Sequence, residues 1–218
     1  MSDFLERAYY AGSSRLLNFM DATLDRRICG CSLVKYVPSV DRDDEKGIGG
    51  TGSQSTHYII LKKIFSHVRL EASDAFLDVG CGKGRVIAYL INAKCPCQLY
   101  GIEHNETVGR IAQEWVRRYP NVHITVGDAF AVDYNEYTVL SIARSFLSVT
   151  RLAFIVYLER HLRHPITLIH WYGAGPGLEG RKGWKLQYRG KLDKICGLKV
   201  GPGIQDFSIW EYDPAQRT

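Results

Sequence analysis

The 218-residue chain lacks a hydrophobic run of the length that a membrane span requires. No uncharged apolar stretch approaches the roughly 20 residues that cross a bilayer as a helix. Residues 1–7 also lack the basic and then apolar profile of a signal peptide, because they include Asp3 and Glu6. We therefore expect a soluble, cytoplasmic protein without a membrane partner, whose six cysteines are reduced thiols.

Cysteine and histidine lack the spacing of familiar metal sites. The candidates are two Cys-x-Cys pairs and three neighbouring histidines: Cys29/Cys31, Cys95/Cys97, His161, His164 and His170. Paired zinc ligands are usually separated by two to four residues, whereas one residue separates the members of each cysteine pair. No His-Glu-x-x-His motif accompanies the histidines. We predict no metal site and interpret these side chains as structural.

A strong charge of either sign is also missing. The net charge is +5, and its charged residues are spread along the chain. This balance is compatible with an acidic partner but does not require one. The length suits a single globular unit with a sizeable core better than two full domains.

The most informative stretch is residues 76–85, FLDVGCGKGR, in which an apolar run reaches an acid and then breaks into three alternate glycines. An apolar run of strand length, followed by glycines and a helical pattern over 86–91, predicts a strand, a tight turn and a helix. Glycines let a backbone approach a ligand closely, and the free N–H groups of the helix start face that ligand. The stretch therefore predicts a site for an adenosine-containing molecule.

The spacing of the glycines distinguishes between kinds of nucleotide site. A dinucleotide-binding G-x-G-x-x-G motif requires glycine where this chain has Arg85. A P-loop is excluded because its four-residue gap and Gly-Lys-Ser/Thr ending are absent. The arrangement Gly80-x-Gly82-x-Gly84, preceded by Asp78, resembles motif I of the class I, seven-strand S-adenosylmethionine-dependent methyltransferases.

Two further acids follow at the ends of the next predicted strands. Glu103 ends the run at 98–103, one strand-helix-strand unit after Asp78, where an acid accepts hydrogen bonds from both ribose hydroxyls. In the family that the chain resembles, a pair equivalent to Asp128-Ala129 meets the adenine through the carboxylate and the next backbone N–H. An oxidoreductase would account for the glycines and Glu103, but would not require this Asp-Ala pair.

Strands and helices are predicted to alternate around these motifs. The remaining parallel strands are expected at 121–129, 137–142 and 165–172, and an antiparallel closing pair at 184–192 and 205–212. Residues 173–180 are too rich in glycine to propagate a helix and predict a loop. Together with the resemblance, this order predicts an α/β fold: a Rossmann-like seven-stranded mostly parallel sheet with an antiparallel last strand, helices on both faces and a helical amino-terminal extension.

The chain is predicted to divide near residue 57. Residues 1–57 would form a helical extension and a glycine-rich lid, and residues 58–218 the S-adenosylmethionine-binding domain. Apolar and charged positions recur at helical spacing over residues 1–28, which predicts one or two helices before the sheet. A second amphipathic pattern at 57–68 predicts the helix that leads into the motif strand.

Between these helices, a charged run at 41–46 leads into a glycine-rich segment at 47–56. Its composition predicts an exposed, mobile loop. It is either a plain linker or, as we favour, a substrate-gated lid, since long glycine loops beside ligand sites usually carry function. In the resembling enzymes a helix and loop here close over the methionine end of the cofactor, which makes Thr51, Gln54 and Thr56 candidate contacts.

The resemblance implies S-adenosyl-L-methionine as cofactor and a set of residues that contact it. These are Thr51, Thr56, Asp78, Gly80, Cys81, Gly82, Gly84, Glu103, His104, Asp128, Ala129 and Arg144. The sequence identifies no catalytic residue, because a sulfonium is already an activated leaving group and the transfer requires mainly alignment. If the acceptor carries a proton, the candidates beside the expected methyl position are His57, Tyr58 and Arg144.

The end of strand four departs from one family pattern. Enzymes that methylate nucleobase amines or glutamine amides usually carry Asn/Asp-Pro-Pro-Tyr/Phe there, whereas this chain has Ala143-Arg144-Ser145-Phe146. An arginine cannot accept a hydrogen bond from an amine. We expect Arg144 to hold a carboxylate, of the cofactor or of an acidic acceptor. The predicted acceptor is thus a small molecule or a peptide-like compound and not a nucleobase amine.

Other functions stay open at this point. Seven basic residues lie between Arg181 and Lys199, interleaved with Trp184 and Tyr188, and would serve RNA by phosphate contacts and stacking. A solvated basic hairpin explains them equally well. A lysine-type protein methyltransferase and a cofactor-binding partner subunit without transfer activity are the remaining alternatives. The sequence does not determine the oligomeric state.

Overall fold

The computed structural model describes residues 3–172, 177–200 and 205–217. The first part of the predicted loop, residues 173–176, lies outside these ranges. The helices are α1 (Asp3–Cys29), α2 (Tyr58–Phe65), α3 (Arg85–Asn92), α4 (Glu106–Val116) and α5 (Ser148–His161). The strands are β1 (Ala75–Val79), β2 (Gln98–Glu103), β3 (Val122–Val126), β4 (Val139–Ile142), β5 (Ile166–Trp171), β6 (Trp184–Leu192), β7 (Lys194–Ile195), β8 (Leu198–Lys199) and β9 (Gln205–Tyr212).

Seven of these strands form one sheet in the order β3-β2-β1-β4-β5-β9-β6. The first five strands of that order pair in parallel, while β9 is antiparallel to both β5 and β6. The predicted fold class and the antiparallel closing pair are therefore confirmed. The order reverses between β1 and β4, and ligands of open α/β sheets bind outside the carboxyl ends of the strands at such a point.

Apolar side chains cover both faces of the sheet. On one face, α2 and α3 pack Ile60, Ile64 and Ile87 against β1 and β5. On the other, α5 packs Phe154 and Leu158 against the opposite side of the same strands. Helices on both faces, as predicted, explain why all four residues of β4 are buried.

The amino-terminal extension is one long helix, α1, whose buried face is not purely apolar. It buries Asp21 and Asp25, at 2% and 0% exposure, while Phe19 is 72% exposed. Leu16 and Met20 also face outward. The helical apolar pattern therefore predicted the helix but not its orientation, which the two buried acids determine through a partner described below.

A short antiparallel ribbon, β7 and β8, separates β6 from β9 and was not predicted. It contacts α1, where the N–H of Lys199 donates to Ser13 Oγ at 3.2 Å. The ribbon thus brings the carboxy-terminal part of the chain against the amino-terminal helix.

Within the described ranges, no group of three or more histidine, cysteine or acidic side chains is arranged to hold a metal ion. Over the same ranges, none of the helices has the length and apolarity that crossing a membrane requires.

Candidate functional site

A cavity of about 890 Å³ lies at the carboxyl ends of the parallel strands. Its walls come from the glycine turn after β1, the ends of β2, β3 and β4, the segment at 49–57, and α1. Ligand pockets typically enclose about 300 to 1,000 Å³. The cavity is therefore large enough for a nucleoside-sized ligand with a second molecule beside it.

The glycine turn requires glycine at two positions for both conformation and space. Gly80 and Gly82 have φ values of +72° and +58°. A Cβ atom on Gly80 would lie 2.5 Å from the Cβ of Ser145, and one on Gly82 would lie 2.8 Å from Ser53 Oγ. The backbone N–H groups of Gly80 and Cys81 both donate to the carbonyl of Ile102 at 2.9 Å, which fixes the turn against β2.

Glu103, at the end of β2, is held between this turn and the start of α4. Its Oε2 accepts from the N–H of Gly82 at 2.8 Å, and its Oε1 from the N–H of Asn105 at 2.9 Å. Burial raises the pKa of Glu103 above its ordinary value, although these backbone hydrogen bonds oppose the rise. The carboxylate is therefore oriented before any ligand binds, and it lines the cavity.

Asp78 lies within β1, beneath the turn, and is 3% exposed. Ser141 Oγ of β4 donates to its Oδ1 at 2.6 Å. Burial raises the pKa of Asp78 from 3.8 to about 7; the Ser141 hydrogen bond opposes this rise and the charge of Glu103 adds to it. Asp78 therefore keeps its proton to a higher pH in the folded protein than an exposed aspartate does.

The raised pKa of Asp78 makes the stability of the protein depend on pH. Between pH 3.8 and about pH 7, Asp78 has lost its proton in the unfolded chain but keeps it in the folded chain. Rising pH therefore lowers the free energy of unfolding over this interval. We expect the free energy of unfolding of Asp78→Asn, measured by urea unfolding across that pH interval, to decline less. The control, Asp206→Asn at an exposed position, should show the same pH dependence as the unchanged protein. Parallel pH curves for Asp78→Asn and the unchanged protein would contradict the raised pKa of Asp78.

Asp128 and Ala129 follow β3 and also line the cavity. Asp128 Oδ1 accepts from the N–H of Phe130 at 2.9 Å and caps a short 3₁₀ turn over Ala129–Ala131. Its Oδ2 has no hydrogen-bond partner in the part of the chain that the structure describes. The carboxylate can therefore accept a ligand donor while the turn stays capped.

Arg85, the residue that breaks the dinucleotide pattern, holds α1 in place. Its guanidinium contacts Asp25 through Nε at 3.1 Å and Nη2 at 2.7 Å, and Asp21 Oδ2 through Nη1 at 3.1 Å. The same Nη1 donates to the carbonyls of Ser55 and Thr56 at 3.2 and 3.4 Å. Arg85 thereby connects the glycine motif to both α1 and the glycine-rich segment.

Sequence reasoning missed Asp21 and Asp25. Their spacing of one helical turn was a signal, because two acids at that spacing mark one face of a helix. Only the structure identifies Arg85 as the partner of that face.

Most of the predicted site residues meet around the cavity. Its lining includes Thr51, Thr56, His57, Asp78, Gly80, Cys81, Gly82, Glu103, His104, Asp128, Ala129 and Arg144, together with Gln54. Gly84 and Tyr58 are not among the lining residues. A Cβ on Gly84 would lie 2.8 Å from Trp115 Cζ2, so this glycine serves helix packing. Tyr58 directs its hydroxyl to Asp25 Oδ1 at 3.0 Å.

The glycine-rich segment lies against the start of α5. The N–H of Gly49 donates to Thr150 Oγ1, and its carbonyl accepts from the N–H of Leu147, both at 2.9 Å. Thr51 Oγ1 donates to the carbonyl of Arg144. The Arg144 side chain is exposed, and no acid of the described residues forms an ion pair with it.

The cofactor expected from the sequence fits this set of groups. The glycine turn packs too closely against Ser145 and Ser53 to admit a side chain. Glu103 offers a preset carboxylate, and Asp128 keeps one oxygen that has no partner among the described residues. Such a site suits ribose hydroxyls and an adenine amine.

Comparison with known proteins agrees with this geometry. Residues 76–164 match the family model of a methyltransferase domain. No curated protein sequence matches the chain.

Three solved structures illustrate the likeness in fold. A methyltransferase from Pyrococcus furiosus has a TM-score of 0.59 and 15% identity, over 91% of this chain and 98% of the other. An RNA methyltransferase from Salinibacter ruber, in complex with S-adenosyl-L-homocysteine, has a TM-score of 0.57 and 16% identity, over 73% and 94%. A SAM-dependent methyltransferase from Methanosarcina mazei has a TM-score of 0.51 and 16% identity, over 68% and 96%. At such identities the likeness establishes the fold.

Proposed function

We propose that this chain is a class I S-adenosyl-L-methionine-dependent methyltransferase and that it methylates a small-molecule or peptide-like acceptor that carries a carboxylate. The observation that carries this proposal is Arg144, an arginine without an ion-pair partner in the described chain, at the wall of the ligand cavity. Arginine matches a carboxylate with two parallel hydrogen bonds.

The residues that would hold the cofactor follow from the site. Glu103 would accept from the ribose hydroxyls, and Asp128 with the Ala129 backbone would meet the adenine. The glycine turn, Thr51 and Thr56 would flank the remaining part. When bound, the cofactor supplies a methyl group on a positively charged sulfur, which leaves the protein chiefly to align the acceptor.

The other end of the cavity would receive the acceptor. There the lining includes Tyr10, Ser14 and Asn18 of α1, together with Val200 and Gln205. Four of these five side chains are polar, which suits a polar acceptor.

The basic residues between Arg181 and Lys199 support an RNA substrate less well than Arg144 supports an acceptor with a carboxylate. Arg181 pairs with Glu159, and Arg189 pairs with Glu179. Tyr188 already stacks on His67, with ring centroids 3.9 Å apart. These contacts occupy groups that would otherwise bind phosphates and bases.

The function is tested by incubating the protein with labelled methyl donor and a fractionated extract, and then identifying the labelled product. We expect Arg144→Ala to reduce transfer roughly 10- to 150-fold, the loss of a charge-assisted contact. Arg144→Lys should restore only part, because lysine lacks the bidentate fork. Arg69→Ala, an exposed arginine paired with Glu71, serves as the control. Labelled exocyclic nitrogens in RNA or DNA, or normal transfer by Arg144→Ala, would refute the proposal.

We also propose that the segment at 47–52 acts as a lid. Its hydrogen bonds join it to α5 through Leu147 and Val149, whose N–H groups donate to Gly49 and Gly47. Hydrogen exchange at these two amides should slow when S-adenosylhomocysteine and the acceptor fraction are added together. The amide of Asn135, bonded within a distant turn, is the internal reference. Equal exchange with and without ligands would make the segment a plain linker.

The proposal includes a cytoplasmic location. All six cysteines are free thiols, which is typical of proteins in a reducing compartment.

A further inference from the structure

We propose that His57, oriented by Asp21, accepts the proton that the acceptor loses when it is methylated. This inference rests on the proposed function, since it concerns the same cavity and the same transfer. It narrows the acceptor to a compound whose methylated atom carries a proton, such as a hydroxyl or an amine.

Asp21 fixes the orientation and the tautomer of the imidazole. His57 Nδ1 lies 2.7 Å from Asp21 Oδ2, and Asp21 is 2% exposed. The same oxygen accepts from Arg85 Nη1 at 3.1 Å, while Oδ1 accepts from the N–H of Tyr58 at 3.3 Å. A carboxylate paired with a guanidinium only accepts hydrogen bonds, so Nδ1 must carry the proton. The lone pair of the neutral ring is therefore on Nε2.

Hydrogen bonds within the described chain involve Nδ1 of His57 and leave Nε2 available. His57 is the residue before α2, but its side chain forms no capping hydrogen bond. Nε2 has no hydrogen-bond partner within the described ranges, and the side chain is 15% exposed at the lining of the cavity. A ring held at one nitrogen, with the other free at a ligand cavity, is the arrangement of a general base.

The other candidates lack one of these properties. Tyr58 is outside the cavity lining and donates to Asp25, and burial raises its pKa well above the ordinary value. Arg144 has no lone pair to accept a proton. His104 lines the cavity beside Glu103, but its side chain is 60% exposed and its acidic neighbour, Asp41, is 4.0 Å away.

The charges around His57 favour the product of proton transfer. Asp21 and Asp25 of α1 face Arg85 of α3, which leaves one excess negative charge in this cluster before transfer. An imidazolium at His57 would balance it. Other titratable groups near the cluster are Lys83 and Cys29, which both interact with Asp25 and Arg85. Tyr58, Arg144, Tyr10 and Tyr172 also lie nearby.

A lone pair on the acceptor oxygen or nitrogen forms the new bond to the methyl carbon, and the carbon–sulfur bond breaks with its electron pair on sulfur. The proton of the acceptor atom moves to His57 Nε2, which gives an imidazolium paired with Asp21. The proton then leaves to solvent when the product departs.

The test compares His57→Ala, His57→Gln and the unchanged protein with labelled S-adenosylmethionine and the fractionated extract, over a pH series. We expect both variants to lose about 100-fold or more in transfer, the usual contribution of a general base. Added imidazoles should restore transfer by His57→Ala, and more basic imidazoles should restore more. The decline of transfer at low pH should disappear in both variants. His123→Ala, an exposed histidine stacked on Tyr100 of β2, should behave like the unchanged protein.

Calorimetry with S-adenosylhomocysteine establishes that each variant is folded. The affinity of each variant for this ligand should change less than about twofold, because the proposed role of His57 is at the acceptor end of the cavity. Full transfer by the variants, or a loss that no imidazole restores, would overturn the role of His57 while leaving the proposed function intact. Absence of label in every fraction with the unchanged protein would overturn the proposed function and this inference together.

Discussion

Replacement of Arg85 by alanine should lower the free energy of unfolding by about 3 to 5 kcal/mol. The guanidinium is 2% exposed and is the cationic partner of Asp21 and Asp25, whose side chains are 3% and 0% exposed. Removing it would leave two buried carboxylates facing each other without a cation. Urea unfolding measures the loss directly.

Matched variants separate this effect from the loss of any arginine. Arg110→Ala removes an exposed pair with Glu106 on α4 and should cost less than about 1 kcal/mol. Combining Arg85→Ala with Asp21→Asn and Asp25→Asn should recover part of the stability, because the unpaired charges are then gone. If Arg85→Ala costs no more than Arg110→Ala, the network does not hold α1 to the sheet.

Replacement of Glu103 by glutamine should weaken S-adenosylmethionine binding about 5- to 150-fold, which corresponds to about 1 to 3 kcal/mol. Each carboxylate oxygen already accepts from a backbone N–H, of Gly82 or of Asn105. A glutamine must turn its NH₂ group toward one of these donors, and it also loses the charge that favours the ribose hydroxyls. Calorimetry with S-adenosylhomocysteine gives the change in dissociation constant.

Glu106→Gln is the matched control for this measurement. Glu106 is three residues further on, at the exposed first turn of α4, where it pairs with Arg110. Its replacement should leave cofactor affinity unchanged. NAD should not bind to the unchanged protein. An unaltered affinity in Glu103→Gln, or measurable NAD binding, would contradict the role assigned to this acid.

The sequence by itself determined the sheet and the positions of its strand-end acids. Alternation of short β-rich runs with amphipathic stretches is a local property, and each run was long enough to identify an element. Parallel strands also present their carboxyl ends at one edge, so an acid placed after each run had to lie near the glycine turn. Glu103 and Asp128 were therefore located without coordinates, as was the crowded turn at Gly80 and Gly82.

Only the tertiary structure decided which face of α1 is buried and what that face does. The apolar positions of α1 predicted a helix, yet Phe19 is exposed and Asp21 is buried, because Arg85 supplies the cation that makes burial of the acids tolerable. That pairing joins residues more than 60 positions apart, and no periodicity within either segment encodes it. The orientation of His57 depends on the same contact, so the candidate base became distinguishable from its neighbours only after the helix was placed against the sheet.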